Sequence, residues 1–170
     1  MTSTAKKLRY ITPQGFRRLA DERGRIWSEL RPRIVAEVEA AAALGDRSEN
    51  AEYIYGKRKL RELDRRLGFL STLLDDLTVV DPQPHPSGKA YFGAWVTVES
   101  EDGEERVYRL VGPDETDGPT GAISVEAPLG RALLGKREGD VVCVQRPSGT
   151  AEVTVLQVSW SAPGRSPGRR

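Results

Sequence analysis

Two carboxylates, Asp46 and Glu49, stand three residues apart in Leu44-Gly45-Asp46-Arg47-Ser48-Glu49-Asn50, between two long helix-forming segments. Acids in that position have two uses. As a capping box, Asp46 is the N-cap of the second helix and Glu49 reaches back to the cap amide. Displayed outward, the same pair offers oxygen ligands to a divalent cation. Oxygen ligands suit Mg²⁺, but two carboxylates are too few to hold it alone, so another macromolecule would have to complete the site. Ser48 and Asn50 either add polar contacts and orient a water or perform ordinary turn chemistry. Spacing alone leaves both readings open.

A positive flank follows the turn. Residues 57–66 hold six basic and two acidic side chains, a net charge of +4. Lys57, Arg58, Lys59, Arg61 and Arg65, with Tyr53 and Tyr55 just before them, are the combination expected of a groove that follows single-stranded nucleic acid. The alternative is a solvated helix face with intrahelical ion pairs, such as Glu62 to Arg66 at i,i+4. The excess of positive charge is too large for pairing to neutralise it.

These residues need a scaffold, and the apolar spacing supplies one. Thr12-Pro13 suits a helix start, with Thr as N-cap and Pro at the first helical position. Phe16, Leu19, Ile26, Leu30, Ile34 and Val38 then recur at helical spacing, and Pro32 predicts a kink or local irregularity without ending the segment. In residues 51–77, Leu60, Leu63, Leu67, Leu70, Leu74 and Leu77 alternate steps of three and four, and Tyr53 and Gly56 extend that register backwards. This is a coiled-coil seam. Two such segments joined by a short Gly-containing turn fold back antiparallel, and arms of about 30 residues at 1.5 Å per residue reach roughly 45 Å. The acids lie at the tip.

Charge divides the chain near residue 80. Residues 1–80 carry 16 Lys+Arg against 12 Asp+Glu, net +4, and residues 81–170 carry 10 against 13, net −3, which sum to the overall +1. A near-neutral total argues against a protein that coats DNA through a broad basic surface. Beyond the Pro-rich linker at 81–88, runs at 94–98 and 106–111 flank Glu101-Asp102-Gly103 as a hairpin, and 123–125 is another short strand. Residues 128–135 read as a short helix, Gly139-Asp140 as a turn, and 141–145 and 151–160 as closing strands. Trp95 and Trp160 are expected in the core or on a sheet face. The lone Cys143, in Val141-Val142-Cys143-Val144, is expected as a buried strand thiol. With one His, His85, and one Cys, a protein-held zinc site or a Cys-His nucleophile pair is excluded. No phosphate loop or nucleophile elbow occurs. The chain shows no signal peptide and no spanning segment, so a cytoplasmic protein is expected.

The tip sequence Leu44-Gly45-Asp46-Arg47-Ser48-Glu49-Asn50-Ala51-Glu52-Tyr53 resembles the signature of the Gre transcript-cleavage factors of bacterial RNA polymerase. Thr12-Pro13-Gln14-Gly15-Phe16 and Ala127-Pro128-Leu129-Gly130-Arg131-Ala132-Leu133-Leu134-Gly135 support the resemblance, which covers about residues 10–160. Arg31-Pro32, Lys57-Arg58-Lys59-Leu60-Arg61, Asp64-Arg65-Arg66 and Phe92-Gly93-Ala94-Trp95-Val96 look more like the GreB branch.

That resemblance implies an α+β fold: an N-terminal antiparallel α-helical coiled-coil hairpin (1–80, acidic tip at 44–50), a linker (81–88), and a C-terminal β-rich FKBP-like domain (89–161) that docks on the polymerase. A disordered basic tail is expected at 162–170. It further implies an accessory factor, not itself an enzyme, that inserts its hairpin into the polymerase secondary channel and stimulates cleavage of backtracked nascent RNA. In that role Asp46 and Glu49 help hold a Mg²⁺ shared with the polymerase and activate water. Ser48, Asn50 and Tyr53 support the tip, and Lys57, Arg58, Lys59, Arg61 and Arg65 hold the extruded RNA 3′ segment. The factor is expected to be a monomer without a cofactor of its own. Relatives of this fold that occupy the channel and inhibit define a second reading, and a prolyl isomerase, suggested only by the FKBP-like fold, a third.

Overall fold

The computed structural model describes residues 8–164; residues 1–7, and residues 165–170 of the expected basic tail, lie outside them. The chain divides into two compact units, Phe16–Leu77 and a second made of the chain up to Gly15 together with Thr78 onward.

The first unit is a helical hairpin. Its first arm consists of α1 (Pro13–Arg25), a π-helical turn at Ile26–Leu30 and α2 (Arg31–Ala42); α3 (Ala51–Asp76) is the second. Pro32 has no amide hydrogen, and its ring would strike the carbonyl four residues back, that of Ser28. The chain answers with the π turn, in which the Arg31 amide bonds to Ile26 O, so the irregularity expected at Pro32 lies just before it. The arms run antiparallel: Gly56 is buried against Val38, Asp64 pairs with Arg31, and Arg66 pairs with Glu22. Leu60, Leu63, Leu67, Leu70 and Leu74 are among the less exposed positions of α3, with Leu70 fully buried, and Leu73, off that line, is buried as well. From the facing arm, Leu19, Ile26 and Ala41 are buried. Each fully buried Leu contributes about 1.5–3 kcal/mol of apolar transfer.

The second unit is built on a five-stranded sheet. Strands β3 (Trp95–Ser100), β4 (Glu105–Val111), β5 (Ala122–Ser124), β6 (Val141–Arg146) and β7 (Gly149–Ser159) lie in the order β5-β4-β3-β7-β6. All neighbours are antiparallel except β4 and β5, and the β3–β7 register shifts between Thr97 and Val98. A short helix, α4 (Pro128–Leu133), covers one face. Strand alternation sends Val96, Val98, Leu110, Val142, Val144, Val153 and Val155 into one core, which Leu133 of α4 completes. Trp160 packs on this core, and Trp95 lies beneath the Arg109 guanidinium, 5.2 Å from the ring centroid.

Cys143 departs from expectation: it is exposed. Strand β6 is the sheet edge with one solvated face, so Val142 and Val144 point inward while Val141 and Cys143 point out. Its Sγ lies 3.5 Å from Glu152 Oε1, and that contact, with the desolvation and charge around it, raises the thiol's pKa. An apolar run of four residues does not distinguish a strand buried on both faces from an edge strand buried on one.

The segment before α1 belongs to the unit that holds the five-stranded sheet, not to the hairpin that its helical sequel suggests. Strand β1 (Arg9–Ile11) pairs with β2 (Leu77–Val79), and the Val80 amide donates to Ile11 O at 2.9 Å. Thr12 is fully buried, and its Oγ1 accepts from the Gly15 amide at 3.1 Å, the cap expected from sequence. A capping box needs a carboxylate at Gly15's position to reach back to the cap amide. Here it comes from Glu115, 103 residues away, which accepts from the Thr12 amide through Oε2 and from Thr12 Oγ1 through Oε1, both at 2.6 Å. A Cβ on Gly15 would stand 2.8 Å from Glu115 Cδ, so the glycine makes room for the distant carboxylate.

Candidate functional site at the hairpin tip

Between α2 and α3 the chain reverses over residues 43–50. The Ala43 amide bonds to Glu39 O and the Leu44 amide to Ala41 O, and Gly45 then takes φ +126°, a value L side chains rarely adopt.

The helix cap is Asn50, not Asp46. Asn50 has extended backbone angles (φ −82°, ψ 101°), and its Oδ1 accepts from the Tyr53 amide at 3.1 Å. Its Nδ2 donates to Ala41 O at 2.8 Å, a carbonyl at the end of α2 that the Leu44 amide also reaches. A carboxylate only accepts, whereas an amide side chain both accepts and donates. Asn50 can therefore close the start of one helix and the end of the other at once. The capping box predicted from Asp46 and Glu49 does not form: Asp46 lies four residues before the cap and Glu49 one.

Freed from capping, both acids are exposed. Asp46 Oδ1 accepts from the Ser48 hydroxyl at 2.7 Å and the Ser48 amide at 2.9 Å. The Ser48 hydroxyl, more than its amide, holds the Asp46 carboxyl below its ordinary pKa and keeps it ionised. Both bonds use Oδ1, leaving Oδ2 without a donor among the described residues. Glu49 makes no hydrogen bond or ion pair among them. Half-buried Tyr53 carries the Arg47 guanidinium 5.8 Å from its ring centroid. No group of three or more His, Cys, Asp or Glu side chains among the described residues is arranged to hold a metal ion.

On the basic flank, Glu62 serves Arg58 at 3.6 Å and Lys59 at 4.0 Å. It does not pair with Arg66, as i,i+4 spacing suggested. Arg66 instead reaches across the hairpin to Glu22 through two hydrogen bonds of 2.7 and 2.9 Å, which lower the Glu22 pKa. Arg61 donates only to its own helix, at Lys57 O, and Lys57 and Arg65 make no ion pair among the described residues. Sequence reading missed Phe69, which is 53% exposed beside the seam residue Leu70. Its signal was phase, since it lies two residues from Leu67 and so off the seam.

Two family models match the chain: "Transcription elongation factor, N-terminal" over residues 9–79 and "Transcription elongation factor, GreA/GreB, C-term" over residues 84–160. The transcription elongation factor GreB of Yersinia pestis is 51% identical over 154 residues, 91% of this chain and 90% of its own length. That of Haemophilus influenzae is 52% identical over 152 residues, covering 89% of this chain and 96% of its own. Among solved structures, GreA factor homolog 1 (Gfh1) of Thermus thermophilus aligns at 24% identity and a TM-score of 0.41, over 89% of this chain and 99% of its own. The assignment rests on the sequence matches, which span both units. The chain belongs to the GreA/GreB family of transcription elongation factors and within it is most like the GreB members.

Proposed function

We infer that this elongation factor acts on bacterial RNA polymerase in the cytoplasm. It enters the secondary channel by its hairpin and stimulates the polymerase's own cleavage of backtracked RNA. The observation that carries the reading is the release of Asp46 and Glu49 from helix capping at an exposed tip.

The donor chemistry fits a shared Mg²⁺. Hard oxygen ligands suit that ion, and it keeps several waters when bound by one or two carboxylates. Asp46 Oδ2 and the Glu49 carboxylate are available, and the Ser48 bonds orient Asp46 while keeping it charged. Bound between factor and polymerase, the ion would stabilise the attacking and leaving oxygens of phosphodiester hydrolysis. The chain's own part is positioning: Asn50 fixes the turn, Ser48 aims Asp46, and Glu49 stands ready to orient a water or accept its proton. Lys57, Arg58, Lys59, Arg61 and Arg65 would hold the extruded strand through its phosphates. In the second unit, a concavity of about 420 Å³ lined by Leu8, Tyr10, Phe92 and Val125 suits docking on the polymerase. The factor supplies side chains to another protein's active centre and has no reaction of its own.

The test is cleavage in defined backtracked complexes. Asp46→Ala with Glu49→Ala should slow 3′-fragment release about a hundredfold or more, on the scale of removing a preorganised electrostatic group, while binding to the polymerase persists. Undiminished cleavage by the double variant would sink the metal-ligand role. Inhibition of nucleotide addition that survives the double substitution would favour the channel-blocking reading.

A further inference from the structure

One line of side chains runs along the outer face of α3, away from the seam. Ile54, Arg58, Arg61, Arg65 and Phe69 follow one another in steps of four, three, four and four, which keeps them on one helix face. Arg58 stands two residues from Gly56 and Leu60, and Arg65 two from Leu63 and Leu67, about half a turn from the buried side. Three arginines are thus bracketed by two exposed apolar residues, Ile54 at 51% and Phe69 at 53%.

The distal end of this track is preorganised. Glu22 holds Arg66 by two hydrogen bonds, and the Arg66 guanidinium lies 5.4 Å from the Phe69 ring centroid, over one face. Beside the ring is a groove of about 400 Å³ lined by Glu62, Arg65, Arg66 and Phe69. Glu62, its one acid, is already engaged by Arg58 and Lys59. A ring fixed by a cation on one side and open at a basic groove suits a flat aromatic partner attached to an anionic chain. A nucleobase of single-stranded RNA is such a partner.

We propose that Phe69 is a base-stacking platform that ends the arginine track and sets how long a stretch of RNA the hairpin grips. The proposal deepens the reading of the hairpin as one that meets extruded RNA, and rests on it. From Ile54 to Phe69 the track covers 15 residues of helix, about 22 Å at 1.5 Å per residue. At a rise between about 3.4 Å per nucleotide when stacked and twice that when stretched, this accommodates roughly three to six nucleotides. Arg58, Arg61 and Arg65 take phosphates along it, and Phe69 takes a base at its end.

The experiment measures binding of the full-length protein at low salt to a labelled oligouridylate of about six nucleotides and to the same strand made abasic throughout. Phe69→Leu should weaken binding of the base-bearing strand about tenfold and leave the abasic strand within about twofold, since stacking needs a base. Phe69→Tyr should retain wild-type affinity. Arg61→Gln should weaken both strands alike and flatten the salt dependence, as loss of a phosphate contact does. Equal affinity of wild type and Phe69→Leu for the base-bearing strand overturns the proposal. So does an equal loss on the abasic strand, or no measurable binding of either strand by the wild type. This readout involves no cleavage, so a protein that stacks bases but does not stimulate hydrolysis keeps the proposal and loses the cleavage reading.

Discussion

Along α3 most of the buried side chains form one line every three or four residues, with Leu73 the buried exception beside it, and the opposite face is exposed; in the five-stranded sheet buried and exposed residues alternate, and the core is closed by pairings across strands. The hairpin's outer face and tip therefore have little to do with holding the hairpin together. Asp46, Glu49, Arg61 and Phe69 are free to serve a partner because neighbouring seam residues carry the packing. The sheet has less such freedom, since a change at one strand is felt by the next. This division fits a factor in which one unit presents chemistry and the other supplies a shaped surface.

The sharpest way to break the comparison is to cut equally into both cores. Leu110→Ala, at a fully buried sheet position, should cost about 2–5 kcal/mol in denaturant unfolding. Leu63→Ala, at a half-buried seam position, should cost clearly less because water already reaches part of that side chain. Equal losses would show that the hairpin is packed as tightly as the sheet.

A smaller effect tests the tip. Asn50→Asp keeps an acceptor for the Tyr53 amide but loses the donor to Ala41 O and sets a carboxylate against that carbonyl. We expect a loss of about 1 kcal/mol in hairpin stability, within the range of cap substitutions. No change on thermal unfolding would mean that Asn50 serves only the start of α3.

The smallest effect concerns Glu22 and Arg66. Arg66 lowers the folded-state pKa of Glu22, so the unfolded chain binds that proton more readily. The stabilisation is therefore present above the unfolded Glu value of about 4.3 and is lost as pH falls through the lower folded value. With both side chains more than a third exposed, the pair is worth at most about 1 kcal/mol. Glu22→Gln should lower stability slightly at pH 7 and match the wild type at pH 2. A difference that persists in acid would point to packing instead of charge.

Legibility differed between the units for physical reasons. The seam was visible because helix neighbours are close in sequence, so Leu60, Leu63 and Leu67 declare their shared face by spacing alone. The strands were visible as runs, but their exposure was not: β6 shows one solvated face because the core covers only one of its sides, which no local pattern states. At the tip, sequence identified the acids and the turn but assigned the cap to the wrong residue. Asp46 and Glu49 fit the capping-box spacing. Asn50 prevails because its amide also meets Ala41 at the end of the other helix.

By itself the sequence determined the antiparallel hairpin, the acids at its turn, the positive flank and the membership of the GreA/GreB family, all carried by spacings of a few residues or by contiguous motifs. Tertiary structure decided which side chain caps α3, that Arg66 answers Glu22 and not Glu62, that Glu115 completes the cap at Thr12, and that Cys143 faces water. The Arg66–Glu22 and Glu115–Thr12 pairings join groups 44 and 103 residues apart, the Asn50–Ala41 bond spans nine residues across the turn, and Cys143 owes its exposure to the face of its strand turned away from the core. A carboxylate or guanidinium takes whichever partner folding brings within hydrogen-bond reach, and chain distance says nothing about which that will be.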